Sequence, residues 1–195
     1  MKWTKDTYAE SKLNEFGSDW KCDSIPVKSI DWKASALNHA RGDEPISEEL
    51  VQDYALAMRQ GDEFPMIVVA KSKSGFVILS GNHRAAAAKE LKCDSMDAYV
   101  LVNTDDSAID MLPRIFNRGH GLRQPRAEAV INAVYAVKNR GMTAERAAGL
   151  FGLHAGYVQE QLRVQDIQTK LRDGGVKTLG IPRATMLKLH SLRND

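Results

Sequence analysis

Residues 80–84 read Ser-Gly-Asn-His-Arg, between an apolar run (Val77, Ile78, Leu79) and four consecutive alanines. Strong helix formers follow the glycine at once, so Asn82, His83 and Arg84 fall in a first helical turn. Such a turn carries backbone N–H groups without intrahelical acceptors, at the positive end of the helix dipole. A histidine and an arginine there have the wrong sign for helix stability alone. They make chemical sense when an anion, most often a phosphate, completes the site. The plainer alternative makes His83 a hydrogen-bonded structural histidine and Gly81 a simple turn. Two other segments are candidates to converge on this turn. One is the strand Met66–Val69 behind Pro65; the other is "FNRGHG" (116–121), with Asn117, Arg118 and His120.

A second pattern lies at 142–164, "MTAERAAGLFGLHAGYVQEQLRV". Thr143 can cap a helix, and Ala147 and Ala148 are small where two helices approach. Gly152 permits the positive φ of a sharp turn, and Leu153 and Val158 plug the space between the helices. This is the spacing of a helix-turn-helix. The start of its second helix offers His154, Ala155, Gly156, Tyr157, Gln159, Glu160 and Gln161 to a DNA major groove. Glutamine suits adenine, and glutamate accepts from cytosine. Arg140, Arg146 and Arg163, with Arg114, Arg118, Arg123, Arg126 and Lys138, are candidate phosphate contacts, which position rather than specify. The plain alternative is a helical hairpin with solvated charges.

The elements that must position these residues divide in two. From residue 24 to 104 strand and helix patterns alternate. An edge strand over 24–32 begins near Pro26, and a polar loop covers 38–45. Ser47 opens a helix that Gly61 stops, strands follow at 65–70, 76–80 and 96–102, and the alanine-rich helix lies between the last two. From residue 105 on, only helices are expected, and residues 1–23 read as a polar arm. The fold class is therefore α+β, a small mixed-sheet domain followed by an all-α domain.

Composition fits this division. Residues 1–113 hold 13 Lys/Arg against 19 Asp/Glu, whereas residues 114–195 hold 14 against 6. An acidic front and a basic back point to two modules, the second facing a polyanion. No apolar run reaches membrane-spanning length, and the first residues lack an apolar signal core, so the expected location is the cytoplasm. Cys22 and Cys93 stand alone and read as free, buried or half-buried thiols, not a zinc site.

Taken in order, the segments "IPVKSI", the polar loop with Arg41, "GDEFPMIVV", "SGNHRAAAA" and "FNRGHGLRQPRAEAV", then the helix-turn-helix, resemble the ParB family from residue 25 to about 190. The resemblance implies a ParB/sulfiredoxin-like domain that binds a nucleotide, CTP first, with Mg²⁺ as its companion ion. It also implies a homodimer on double-stranded DNA that serves partition or regulation. The family's Gly-Glu-Arg-Arg phosphate turn falls on Gly81, Asn82, His83 and Arg84. Its later Glu-Asn-x-x-Arg segment falls on Phe116, Asn117, Arg118, Gly119 and His120, and Pro65 and Arg41 lie in the accompanying segments. Phe116 stands where the family has a metal-holding carboxylate, and a phenyl ring offers no oxygen ligand, which counts against hydrolysis. The Gly-x-His-Arg form is also similar to sulfiredoxins and free-serine kinases, but Asn82 replaces the cysteine that sulfiredoxin chemistry needs.

The resemblance leaves two other functions open. One is a ParB-like nuclease or small-molecule phosphotransferase with His83 or His120 as acid or base. The other is a simple repressor with an inert front domain. The separate C-terminal dimerisation domain of chromosomal ParB proteins has no counterpart here, as expected of a short phage- or plasmid-type relative or a truncated chain.

Overall fold

The structure is a computed structural model and describes residues 2–37, 46–117 and 126–192. Its chain forms two compact units, which divide between Arg123 and Gln124.

The first unit runs β1 (Lys2–Thr4), α1 (Thr7–Phe16), β2 (Trp20–Pro26), α2 (Trp32–Leu37), α3 (Glu48–Gln60), β3 (Glu63–Pro65), β4 (Ile67–Ser72), β5 (Gly75–Ser80), α4 (Asn82–Glu90), β6 (Ser95–Leu101) and α5 (Asp106–Phe116). Four strands make a mixed sheet in the order β2-β6-β4-β5, with β6 parallel to β4 and the other neighbours antiparallel. Strand β4 is interior, and Ile67 to Ala70 are all buried. Burial on both faces gives a continuous apolar run in place of an alternating one. On one face Ile67, Val69, Ile78, Met96, Ala98 and Val100 pack with Ala85 and Ala88 of α4. The small alanines let that helix lie close on the sheet, and this seats its first turn at the end of β5. Ser47 caps α3 through its hydroxyl, and Gly61 closes it in the left-handed conformation, as its sequence pattern requires.

Two expectations need correction. Residues 1–23 are not an arm. Asp6 caps α1 through its carboxylate, and Ala9, Leu13 and Phe16, spaced four and three apart, bury one face of that helix. Strand β1 pairs in parallel with β3. Pro26 ends β2 instead of opening it. It is tolerated there because β2 lies at the sheet edge.

Helix α5 packs on α1 and β5 and so falls in the first unit. Cys22 is exposed and Cys93 half-buried, and both are free.

The second unit contains α6 (Arg126–Arg140), α7 (Ala144–Phe151), α8 (Ala155–Asp173) and α9 (Arg183–Ser191). Ala133, Ala136, Ala147, Ala148, Phe151 and Val158 are buried where α6, α7 and α8 meet. Val164 and Ile167 of α8 pack on Met186 of α9. Among the described residues no helix is long and apolar enough to cross a membrane.

Candidate functional sites

The turn into α4 is built around Gly81, whose φ of +98° is left-handed. A Cβ there would lie 2.7 Å from Ile67 Cγ2 and 3.0 Å from Arg84 Nη2, so glycine also keeps the turn tight against the sheet and the guanidinium. No side chain caps α4, and its first N–H groups lack intrahelical acceptors. Arg84 folds back from this turn. Its Nη1 donates to the carbonyls of Pro65 and of Met66, the latter at 3.2 Å. Pro65 therefore enters the site through its backbone oxygen.

Arg84 is half-buried and forms no ion pair with a described carboxylate. Burial pulls its guanidinium below the usual arginine range, while the Tyr54 hydroxyl and the Asp6 carboxylate act in the other direction. Among the described side chains, Thr104 Oγ1 is the buried polar atom left without a hydrogen bond. The guanidinium N–H groups not spent on Pro65 and Met66 therefore reach accessible space.

His83 does something else. Its Nε2 accepts a hydrogen bond from the Ser47 N–H at 3.2 Å, which requires the neutral ring and ties α4 to the start of α3. That hydrogen bond is the structural role weighed for His83 as the plainer alternative. Asn82 opens α4 and is half-buried. Asn117 follows the last residue of α5 as its C-cap. Arg41, Arg118 and His120 lie outside the described residues. Phe116 is 1% exposed. A side chain so placed offers nothing to Mg²⁺, so this position does not fit a metal-holding role.

A cleft of about 520 Å³ lies at the far end of α4, lined in part by Val27, Lys28, Trp32, Lys89, Lys92 and Cys93, and is separate from the Gly81 turn. Sequence reasoning missed Asp6, Tyr54 and Met66 around Arg84. The pairing of β1 with β3 brings the first two strands of chain together there, and no local motif signals it.

In the second unit Thr143 caps α7 by accepting from the Arg146 N–H at 3.2 Å, and Gly152 ends it at φ +53°. Helix α8 starts immediately beyond, at Ala155. His154, Gly156, Gln159 and Arg163 are exposed, and Ala155, Tyr157 and Glu160 are half-buried. The Tyr157 ring carries the Arg183 guanidinium at 4.9 Å and that of Arg126 at 5.4 Å. Glu160 pairs with Arg183, and Gln159 donates to Glu145 at 2.9 Å. The two residues best suited to read bases are thus engaged with neighbours. Arg140 and Arg146 are exposed at the end of α6 and the start of α7.

Residues 19–112 match the family described as the ParB N-terminal domain. The chain belongs to the ParB family. No curated protein sequence matches it. Among solved structures this ParB-family chain is similar to the C-terminally truncated chromosome-partitioning protein ParB from Caulobacter crescentus, complexed to the centromeric parS site. Identity is 18%, with 87% of this chain and 91% of that one covered and a TM-score of 0.51. A structure of the same Caulobacter protein with CTP-gamma-S matches at 20% identity, covering 86% and 92%, with a TM-score of 0.41. The first likeness establishes a ParB-like α+β fold with helices after the sheet.

Proposed function

We propose that this ParB-family chain is a DNA-binding protein of partition or regulatory type. In this reading its first unit takes a nucleotide, CTP first, and the nucleotide controls how two copies associate on DNA. One observation carries the nucleotide half: the arginine at the mouth of α4 turns its guanidinium back beside uncapped N–H groups, and no described carboxylate neutralises it. Backbone donors at a helix start plus a fixed cation are what a phosphate chain needs.

The DNA half rests on charge and on a local shape. Residues 124–195 hold 11 Lys/Arg against 6 Asp/Glu. A capped helix, a left-handed glycine and a second helix presenting Tyr157 with two arginines follow the order a groove-reading module requires. The Caulobacter relative bound to parS supports the same direction, since its fold is shared.

Nucleotide can control association only if it binds one arrangement of the two chains better than the other. Calorimetric titration of the full chain with CTP, ATP, GTP and UTP, with and without plasmid DNA, tests the proposal. Selective heat with CTP that changes when DNA is added supports it. Silence with every nucleotide removes the nucleotide half and leaves a repressor-like DNA binder.

A further inference from the structure

Residues 2–17 precede the matched domain and yet run along its candidate anion site. Strand β1 pairs with β3 in the register Thr4↔Pro65, and the Met66 N–H donates to the Thr4 carbonyl at 2.9 Å. The carbonyls of Pro65 and Met66 are the ones that hold Arg84. The N-terminal strand and the arginine therefore grip the same short piece of backbone. Two residues past Thr4 the chain turns into α1 at Asp6, whose position is fixed twice. Its N–H donates to the buried Tyr99 hydroxyl at 2.7 Å, and its carboxylate accepts from the Tyr8 N–H at 2.9 Å and the Ala9 N–H at 3.3 Å. A negative charge is thus anchored beside the cation of the candidate site by hydrogen bonds to its own helix.

We propose that Asp6 is an internal competitor for Arg84: it supplies negative charge that an incoming phosphate must outbid, so the N-terminal segment sets the affinity of the anion site. The inference deepens the nucleotide reading and rests on it. The electrostatic pull of Asp6 on the buried guanidinium has the sign this requires. An anion entering between Arg84 and the α4 N–H groups meets repulsion from a carboxylate that cannot swing away without uncapping α1.

The test replaces Asp6 by residues that keep the cap and lose the charge. Asparagine and serine both cap helices about as well as aspartate, so D6N and D6S retain α1. Glu10→Gln serves as control, because Glu10 accepts from the Tyr99 hydroxyl at 3.1 Å one turn further along. Full-length proteins are titrated calorimetrically with CTP and with inorganic pyrophosphate at low and high salt. D6N and D6S should bind about fivefold more tightly at low salt, with the gain shrinking at about 0.5 M salt as charges are screened. E10Q should match the parent chain.

If the parent binds CTP and the Asp6 variants bind equally or more weakly, the competitor role is overturned while the nucleotide reading stands. If the parent is silent and the variants bind, the competitor role is supported in its strongest form. Silence from all of them overturns both.

Discussion

Gly81→Ala separates two costs that the turn into α4 imposes. The first is backbone: φ is +98°, and an L side chain in the left-handed region costs about 1–2 kcal/mol. The second is packing. The new methyl would sit 2.7 Å from Ile67 Cγ2, and Ile67 is wholly buried in the central strand β4, so it has no room to yield. Overpacking of this kind costs about 1–3 kcal/mol. Gly61 supplies the reference, because its φ is +94° and nothing lies within 4 Å of its hypothetical Cβ. Gly61→Ala should therefore lose only the backbone part, and Gly81→Ala should lose about 2 kcal/mol more. Trp3, Trp20 and Trp32 are the chain's three tryptophans and all lie in the first unit, so urea unfolding followed by tryptophan fluorescence reports that unit. At an m-value of about 2 kcal/mol/M the extra loss moves the midpoint down by about 1 M relative to Gly61→Ala. Equal midpoints for the two variants would show that contact with Ile67 does not dictate the glycine, and the site geometry built on that contact would fall with it.

Arg84→Ala should abolish CTP binding by calorimetry and cost about 1–3 kcal/mol of stability, because the Pro65 and Met66 carbonyls lose their donor. Burial pushes the Tyr99 phenol up to about 12, with the Asp6 N–H pulling the other way. An unfolded tyrosine ionises near 10, so the proton Tyr99 keeps contributes stability that is intact below about pH 10 and lost as pH rises through about 12. Ultraviolet titration should show one phenolate appearing late, and Tyr99→Phe should delete that step. Arg183→Ala exposes Glu160 beside Tyr157 and should weaken DNA binding, with the log–log salt slope shallower by about one if Arg183 neutralises a phosphate. Fluorescence anisotropy on a labelled duplex across a salt series measures this, and an unchanged slope assigns Arg183 to packing alone.

Local signals made much of this legible. Ser47 and Gly61 bracket α3, Thr143 and Gly152 bracket α7, and the apolar run of β4 announces a strand buried on both faces, all because caps and two-sided burial write themselves into consecutive residues. Asp6, Ala9, Leu13 and Phe16 also carried a helix signal, a cap followed by one apolar face. Polar residues dilute it over ten positions, and what secures α1 is Tyr99, far away in the chain. The charge pattern around the anion site was hidden for the same reason. His83 reads as a ligand from its turn and becomes a crosslink to α3 only once Ser47 folds beside it. Asp6 reads as nothing until β1 pairs with β3. Motifs reveal which backbone will be prepared, while long-range pairing decides which side chains remain to use it.

Phe116 carries the last consequence. In the ParB resemblance this position holds a carboxylate for the metal. Here it ends α5 with Phe116 1% exposed, among the buried residues Met111, Leu112 and Ile115 of the same helix. A carboxylate in that place would face desolvation of several kcal/mol without a partner, so the substitution cannot be undone by changing one residue. A site that keeps Gly81 and Arg84 yet buries a phenyl ring in place of the metal ligand is built to hold a nucleotide without turning it over. Full-length protein incubated with CTP, Mg²⁺ and plasmid DNA should release no phosphate beyond the nucleotide's own background, under conditions where calorimetry detects binding. Phosphate release that depends on Mg²⁺ and disappears in Arg84→Ala would show that another oxygen ligand serves, and that Phe116 does not set the chemistry.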